Sequence, residues 1–326
     1  MNKKVLIFLL AAAVALFAIP GAVLCADYPT REIEFVSGFG PGSSNDSVAR
    51  LLGKFSEKYV GKSIVVVNKP GGGGTRGYSF LAAAKPDGYT LGNLNVAVIF
   101  TPYLVKGVNY QYKKNFKIIC ETSYMPIGLY VKKGGPYDIP LKELIKKVKE
   151  KPNTVKVGVG GTWVPEDITR AVFEDQAGIQ GIRVPFTGGG GETIPALLGG
   201  HTDINFGGAS HWAELYRAGK VNVLATTLDK RDPRLPDIPT FKENGFDMTG
   251  LLNIYWVGAP ANTPESVVNF LAQAFKKGVA EPGYVTGMDN LGCTAAWEGP
   301  ADSLKTMDRI DDTFMKIVKK YNLKPE

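Results

Sequence analysis

The chain has 326 residues, of which 44% are hydrophobic and 21% charged, with a formal net charge of +7. That balance fits a folded globular protein and excludes wholesale disorder, and a single long apolar run excludes several membrane spans. Only Cys25, Cys120 and Cys293 could form disulfides, which excludes a disulfide scaffold, and two histidines, His201 and His211, leave little for a metal centre.

The apolar run covers 5–19. Lys3 and Lys4 precede it, Pro20 and Gly21 break it, and Ala22-Val23-Leu24-Cys25-Ala26 follows. A basic start, an apolar middle and small residues at the end predict a secretory signal peptide over 1–26, cut before Asp27. The run is about 15 residues, short of the roughly 20 that span a bilayer. Leu24 is bulkier than a lipoprotein signal carries before its cysteine, so a lipid anchor at Cys25 is not expected. Cleavage leaves 326 − 26 = 300 residues, enough for one large or two medium domains. Loss of Lys3 and Lys4 takes the charge from +7 to +5, a mild excess that fits an anionic ligand. No basic run is interleaved with aromatics, so nucleic acid is not expected as a partner. Lys142, Lys146, Lys147, Lys149 and Lys151 read as the solvated face of an amphipathic helix.

In chain order, strand-like runs occupy 32–37, 63–68, 89–93, 118–121, 128–132, 155–159, 203–206, 221–226 and 254–258. Helical stripes lie between many of them. Over 45–59 the apolar positions are Val48, Leu51, Leu52, Phe55 and Tyr59, with Gly61 as a stop. Similar stripes cover 166–176, 267–275 and 307–321, and 240–245 reads as a short helix. Strand and helix in alternation predict α/β layers with largely parallel sheets.

Four strand-to-helix joints are rich in glycine. They are Gly38-Phe39-Gly40-Pro41-Gly42-Ser43-Ser44-Asn45, Pro70-Gly71-Gly72-Gly73-Gly74-Thr75-Arg76-Gly77, Gly158-Val159-Gly160-Gly161-Thr162 and Thr187-Gly188-Gly189-Gly190-Gly191. In parallel α/β sheets such joints sit at the carboxyl ends of strands, where ligands bind. Glycine lets backbone amides approach a ligand, and helix starts add unpaired N–H groups with partial positive charge. A single such joint is often only a tight turn, but four together favour a binding role; two lie in the first half and two in the middle, so that two lobes would set them facing each other across a cleft.

Catalytic patterns fare worse. Gly72-x-Gly74-x-x-Gly77 matches the dinucleotide spacing, but Asn68-Lys69-Pro70 separates it from its strand and no acid follows at the required distance. No loop ends in Gly-Lys-Ser/Thr. Gly208-Ala209-Ser210-His211-Trp212 resembles a nucleophile elbow, with Trp212 in place of the second glycine. Sequence adjacency of Ser210 and His211 is no evidence of a dyad, because base and nucleophile must meet in space. Cys120 and Cys293 read as two buried small apolar residues, with pairing after export as the alternative. Arg76 and Arg183 could clamp a carboxylate or simply be solvated, and Asp46 could meet an amine or merely favour the start of a helix. No catalytic, metal or cofactor site is expected.

Several segments resemble one family throughout the mature chain and in order. They are Tyr28-Pro29-Thr30-Arg31, Gly42-Ser43-Ser44-Asn45-Asp46-x-x-Ala49-Arg50, Asn68 to Gly77 and Pro86-Asp87-Gly88-Tyr89-Thr90-Leu91. In the second half, Val184 to Gly190, Leu198-Gly199-Gly200-His201-Thr202-Asp203, Arg231 to Thr240 and Ala259 to Pro264 agree. The chain is similar to the substrate-binding proteins of tripartite tricarboxylate transporters, the Bug receptors. The resemblance implies a two-lobed periplasmic-binding fold of type II with a ligand cleft between lobes. It places lobe 1 at 27–124 plus 252–326 and lobe 2 at 125–251, with crossings near 125–129 and 251–254. It implies a periplasmic, non-catalytic protein, expected to be a monomer, that hands a small carboxylate to large and small membrane permease subunits. A solute sensor feeding a signalling receptor and an exported hydrolase are the alternatives. The matching ligand residues are Phe39, Gly42, Ser43, Ser44, Asn45, Asp46, Gly73, Gly74, Thr75, Gly161, Thr162, Thr187, Gly188, Gly189, Ala209 and Ser210. Two departures stand out: Ser43 replaces the second glycine of a pair, and Arg76 stands where relatives carry a small or apolar residue.

Overall fold

The computed structural model describes residues 28–186, 190–248 and 250–324. Ten strands are described: β1 (Ile33–Ser37), β2 (Ile64–Asn68), β3 (Thr90–Asn95), β4 (Phe116–Lys132), β5 (Lys156–Val159), β6 (Ile182–Pro185), β7 (Ile204–Gly208), β8 (Val221–Thr226), β9 (Leu252–Pro260) and β10 (Thr294–Glu298). β4 dominates the architecture. Its first part pairs antiparallel with β9, from Phe116↔Pro260 to Pro126↔Leu252, and with β10. Its second part, from Ile127 to Lys132, pairs antiparallel with β7 and with β8.

Two strand groups therefore share one strand. The first runs β2-β1-β3-β9-β4-β10, with β1, β2 and β3 mutually parallel and β9 antiparallel to β3. The second runs β8-β4-β7-β5-β6, with β5 parallel to both β6 and β7. The α/β expectation holds, while "largely parallel" describes only β2-β1-β3 and β7-β5-β6. β4 and β9 lie antiparallel where the chain passes between groups. The runs 118–121 and 128–132 are one strand. The polar stretch Glu121–Ser123 separates them in sequence, and two irregularities in register against β9 fall at Ile118/Cys120 and Glu121/Ser123. The segment expected as a helix at 240–245 is a single 3₁₀ turn, Lys242–Asn244, ended by Gly245 in the left-handed conformation.

The helix Ser44–Val60 shows why the joints fold as they do. Ser43 is extended and its hydroxyl accepts the amide of Asp46, which caps the first turn. Asp46 lies in that turn, and Gly61 ends the helix at φ +80°. Its buried face, including Val48, Ala49 and Leu52, packs on the first strand group. The helix Glu265–Val279 lies against it so closely that a Cβ on Gly278 would sit 2.1 Å from Ser56 Oγ and 3.1 Å from its Cα. The helix Pro300–Lys320 returns the chain to the first group, where Phe314 stacks on Phe100 of the helix Ala97–Leu104 with ring centroids 4.0 Å apart. In the second group Phe173, Phe206 and Phe241 form an aromatic core. Cys120 and Cys293 are buried free thiols; Cys293 Sγ lies 3.8 Å from Met125 Sδ.

The Gly278–Ser56 contact gives a direct test. Gly278→Val should lower the unfolding free energy by about 1–3 kcal/mol through overpacking. A urea midpoint equal to that of the parent would show that the two helices part without cost.

Candidate functional site

The parallel strands end on one side, and their helices start there. Ser44–Val60 follows β1, Ala97–Leu104 follows β3, Pro165–Ala177 follows β5 and Ala209–Arg217 follows β7. The first two belong to one strand group and the last two to the other. Between their starts lies a small cavity lined by Phe39, Ser43, Ser44, Asn45, Asn95, Gly160, Glu166, His211, Asn253 and Tyr255. Its volume of about 20 Å³ has room for a single water. β9, which passes between the groups, supplies Asn253 and Tyr255 to its floor.

The loops meet across this cavity. A Cβ on Gly73 would lie 2.8 Å from the carbonyl oxygen of Thr162, and one on Gly161 would lie 3.5 Å from Gly73 Cα. Gly191 approaches Pro41 and Gly42 in the same way. The joint 71–74 can adopt this path because its four glycines all have positive φ, at 137°, 57°, 63° and 99°. Ser210 Oγ donates to Ser44 Oγ at 2.7 Å, and Ser44 Oγ shares a 2.7 Å hydrogen bond with His211 Nε2. The two strand groups are thus latched by short polar contacts and by glycine backbones that offer no side chain.

Phe39, Ser43, Ser44 and Asn45 line the cavity. Ser210 touches it through Ser44. Gly42, Gly73, Gly161 and Thr162 form the loop contacts above it. Gly74 packs on the Tyr78 ring, and Thr75 turns its hydroxyl towards Gly72. Ala209 Cβ packs near Gly292, away from the cavity. Asp46 accepts from Gly42 N, Arg50 Nε and Asn68 Nδ2, so its carboxylate is occupied in holding the first joint. Thr187, Gly188 and Gly189 lie outside the described residues. Of the two arginines weighed as clamps, Arg76 is exposed and Arg183 pairs with Asp167 at 3.2 Å.

The residues that sequence reasoning missed are Asn95, Glu166, His211, Asn253 and Tyr255, while Gly160 of the third glycine joint lines the cavity. Asn95 and Asn253 interrupt apolar strands, which is the signal that could have found them. Glu166 opens a helix next to the third glycine joint. His211 was read only beside Ser210, whereas its ring meets Ser44, a serine far away in sequence.

Burial sets the electrostatics. It pulls the His211 imidazole down to about 4, so the ring is neutral near pH 7. The other ring nitrogen, Nδ1, has no partner among the described residues. A dyad of this kind lacks the third group that would orient its base. Burial likewise pushes the Glu166 carboxyl up to about 7, against backbone amides of Glu166 and Gly208 and the Asn253 side chain, which favour its charge. Asn253 Nδ2 donates to Glu166 Oε1 at 3.2 Å. Among the described residues that line the cavity, none is lysine or arginine.

Comparison with known proteins places this architecture. The profile of the tripartite tricarboxylate transporter family receptor matches residues 48–323. The chain belongs to that family. The receptor is 32% identical over 276 residues to the UPF0065 protein in the gbd 5′ region of Cupriavidus necator, covering 84% of this chain and 82% of that one. The solved periplasmic binding protein BugD superposes with a TM-score of 0.87 at 26% identity, covering 92% of this chain and 100% of that one. MatC from Rhodopseudomonas palustris, solved with bound malate, superposes at 0.77 with 25% identity, covering 90% and 98%. The fold is the two-lobed one of periplasmic solute-binding proteins. Among the described residues no helix is long and apolar enough to cross a membrane.

Glu166 gives a pH dependence. Its folded-state value lies above that of an unfolded carboxyl, so the fold holds the proton more tightly. The stability this contributes is full below about pH 4.5 and is lost as pH rises through about 7. Glu121, pushed up to about 8 by burial and then by the facing Glu298, adds the same slope. The double variant Glu121→Gln/Glu166→Gln should flatten the fall in melting temperature between about pH 5 and 8. Parallel curves for variant and parent would contradict these assignments.

Proposed function

We propose that this receptor is exported through cleavage of 1–26, captures a small carboxylate between lobes 27–124 plus 252–326 and 125–251, and presents the closed form to the large and small subunits of a tripartite permease. The observation that supports it most directly is the meeting of four helix starts, two from each strand group, around one buried polar cavity. Unpaired amides at helix starts favour an anion without a fixed counter-charge. Malate in MatC supplies a precedent for the ligand class.

Closure is the step that the geometry makes testable. The Ser44–His211 and Ser44–Ser210 bonds join elements from the two strand groups, and the solute takes their place when it enters. Each bond between its carboxylate and a neutral donor contributes about 1.5–3 kcal/mol. Part of that gain is spent on ordering, which leaves an affinity of the micromolar class. Delivery then depends on the permease binding the closed form better than the open one.

A thermal-shift screen of mono-, di- and tricarboxylates against the purified receptor should yield at least one ligand that raises the midpoint by mass action. Gly73→Val should weaken that ligand at least tenfold, because its Cβ meets the Thr162 carbonyl only when the loops are together. Valine at φ +63° is itself strained, so the empty variant should melt below the parent, and affinity is compared at a temperature where both are folded. A screen in which no carboxylate stabilises the receptor would refute the ligand class, and full affinity in Gly73→Val would refute closure by these loops. The Ser44–His211 contact favours one second reading, hydrolysis, which ester turnover abolished by Ser44→Ala would establish.

A further inference from the structure

Among the described residues that line the cavity, Glu166 is the only acid. It lies in the first turn of the helix Pro165–Ala177 and is 6% exposed. The polar groups that share the lining are of both kinds. Asn45 Oδ1 and Asn253 Oδ1 are buried acceptors with no partner among the described residues, and Tyr255 Oη, a hydroxyl able to donate, is buried with none either. The unpartnered His211 Nδ1 belongs to a ring that burial keeps neutral. The lining can therefore meet donors and acceptors of a solute, yet no lysine or arginine on it offsets a charge.

The groups that face Glu166 do not include a cation. On its own helix Asp167 comes next, and Arg170 and Arg183 are held by Asp167 at 2.8 and 3.2 Å. From β9, Asn253 Nδ2 donates to Glu166 Oε1 at 3.2 Å, and the Tyr255 phenol stands close. Tyr78 of the helix Thr75–Ala82 and Tyr130 of β4 face it with neutral hydroxyls, and the Gly208 amide of β7 favours its charge. A carboxylate entering this enclosed space sets a second negative charge beside the first. Two carboxylates so placed do not both stay ionised, and one of them takes a proton. Burial has already pushed Glu166 up to about 7, above an ordinary carboxylic solute, so Glu166 is the group that takes it.

We propose that Glu166 makes this receptor capture its carboxylate together with a proton. The proton comes from solvent, the Glu166 carboxylate gains an O–H bond, and that O–H donates to the carboxylate of the solute. Glu166 then acts as a neutral donor beside Tyr255 Oη, and the bond from Asn253 to its Oε1 is kept. The inference rests on the carboxylate-receptor reading and adds the protonation state in which the site recognises its solute. By linkage, affinity falls up to about tenfold per pH unit above about pH 7 and is level between there and the acid range of the solute itself.

The test is calorimetric titration of the intact receptor with acetate, succinate, malate, citrate and any other carboxylate that the thermal-shift screen returns. Each titration is run in two buffers of different ionisation enthalpy, which counts the protons taken up on binding. At about pH 8 the receptor should take up about one proton per solute, and the count should shrink towards zero at about pH 5.5, where Glu166 is already protonated. Glu166→Gln, whose amide donates without titrating, should bind with no proton uptake and with affinity level across that range. In the parent, infrared difference spectra should gain a protonated-carboxyl band that stays in place when the carboxyl carbon of the solute is isotope-labelled, which decides the matter even where Glu166→Gln folds poorly. Binding by the parent without uptake overturns the inference and leaves the carboxylate receptor standing. Equal uptake in Glu166→Gln, or a band that shifts with the label, does the same, because the proton then sits on His211 or on the solute. Failure of every carboxylate to bind overturns both.

Discussion

One strand carries the whole arrangement. β4 is too long to belong to a single sheet, and its hydrogen-bonding edges change partners part-way along. Up to Pro126 it is bound to β9 and β10; from Ile127 it is bound to β7 and β8. Because the backbone groups of a buried strand must be paired, neither strand group can drift from the other without breaking ladder bonds. The register of β4 is irregular near Cys120 and Glu121 against β9 and near Leu129 against β8. With that strand shared, the carboxyl ends of the parallel strands in both groups point towards a common space.

The cavity follows from this placement. Four helix starts arrive at it, and their polarity is offset by what lines it: two serines, three asparagines, a histidine kept neutral by burial and a glutamate whose charge burial disfavours. The loops that cover it come together because their tips are bare backbone. Gly73 against Thr162 and Gly191 against Pro41 are approaches that a Cβ would prevent.

Much of this was legible in the sequence, for local reasons. Glycine joints between strand-like and helical runs signalled the loops, and the stripes over 45–59 and 166–176 signalled the helices that start at the cavity. The first joint was also the most readable, and its Ser43, Ser44 and Asn45 line the cavity. What stayed hidden depends on distance in sequence. The continuity of β4 could not be read, because Glu121-Thr122-Ser123 looks like a break until β9 and β10 are seen to pair with it. Asp46 looked available for a ligand, but Gly42, Arg50 and Asn68 occupy it. Asn253 and Tyr255 reach the cavity only because β9 comes back from the far end of the chain. The partner of His211 was equally hidden, since Ser210 next door was the obvious candidate and Ser44 the actual one.

The register of β4 against β9 has one more implication. Pro126 and Leu252 are direct partners, so the points where the chain leaves the outer sheet and re-enters it are one strand spacing apart, about 4.8 Å. Everything between them hangs from the rest like a drawer from its frame, with both attachments at the same edge. Chimaeras with other members of the family can therefore be spliced at these two neighbouring points, exchanging one wall of the cavity and leaving the other wall intact.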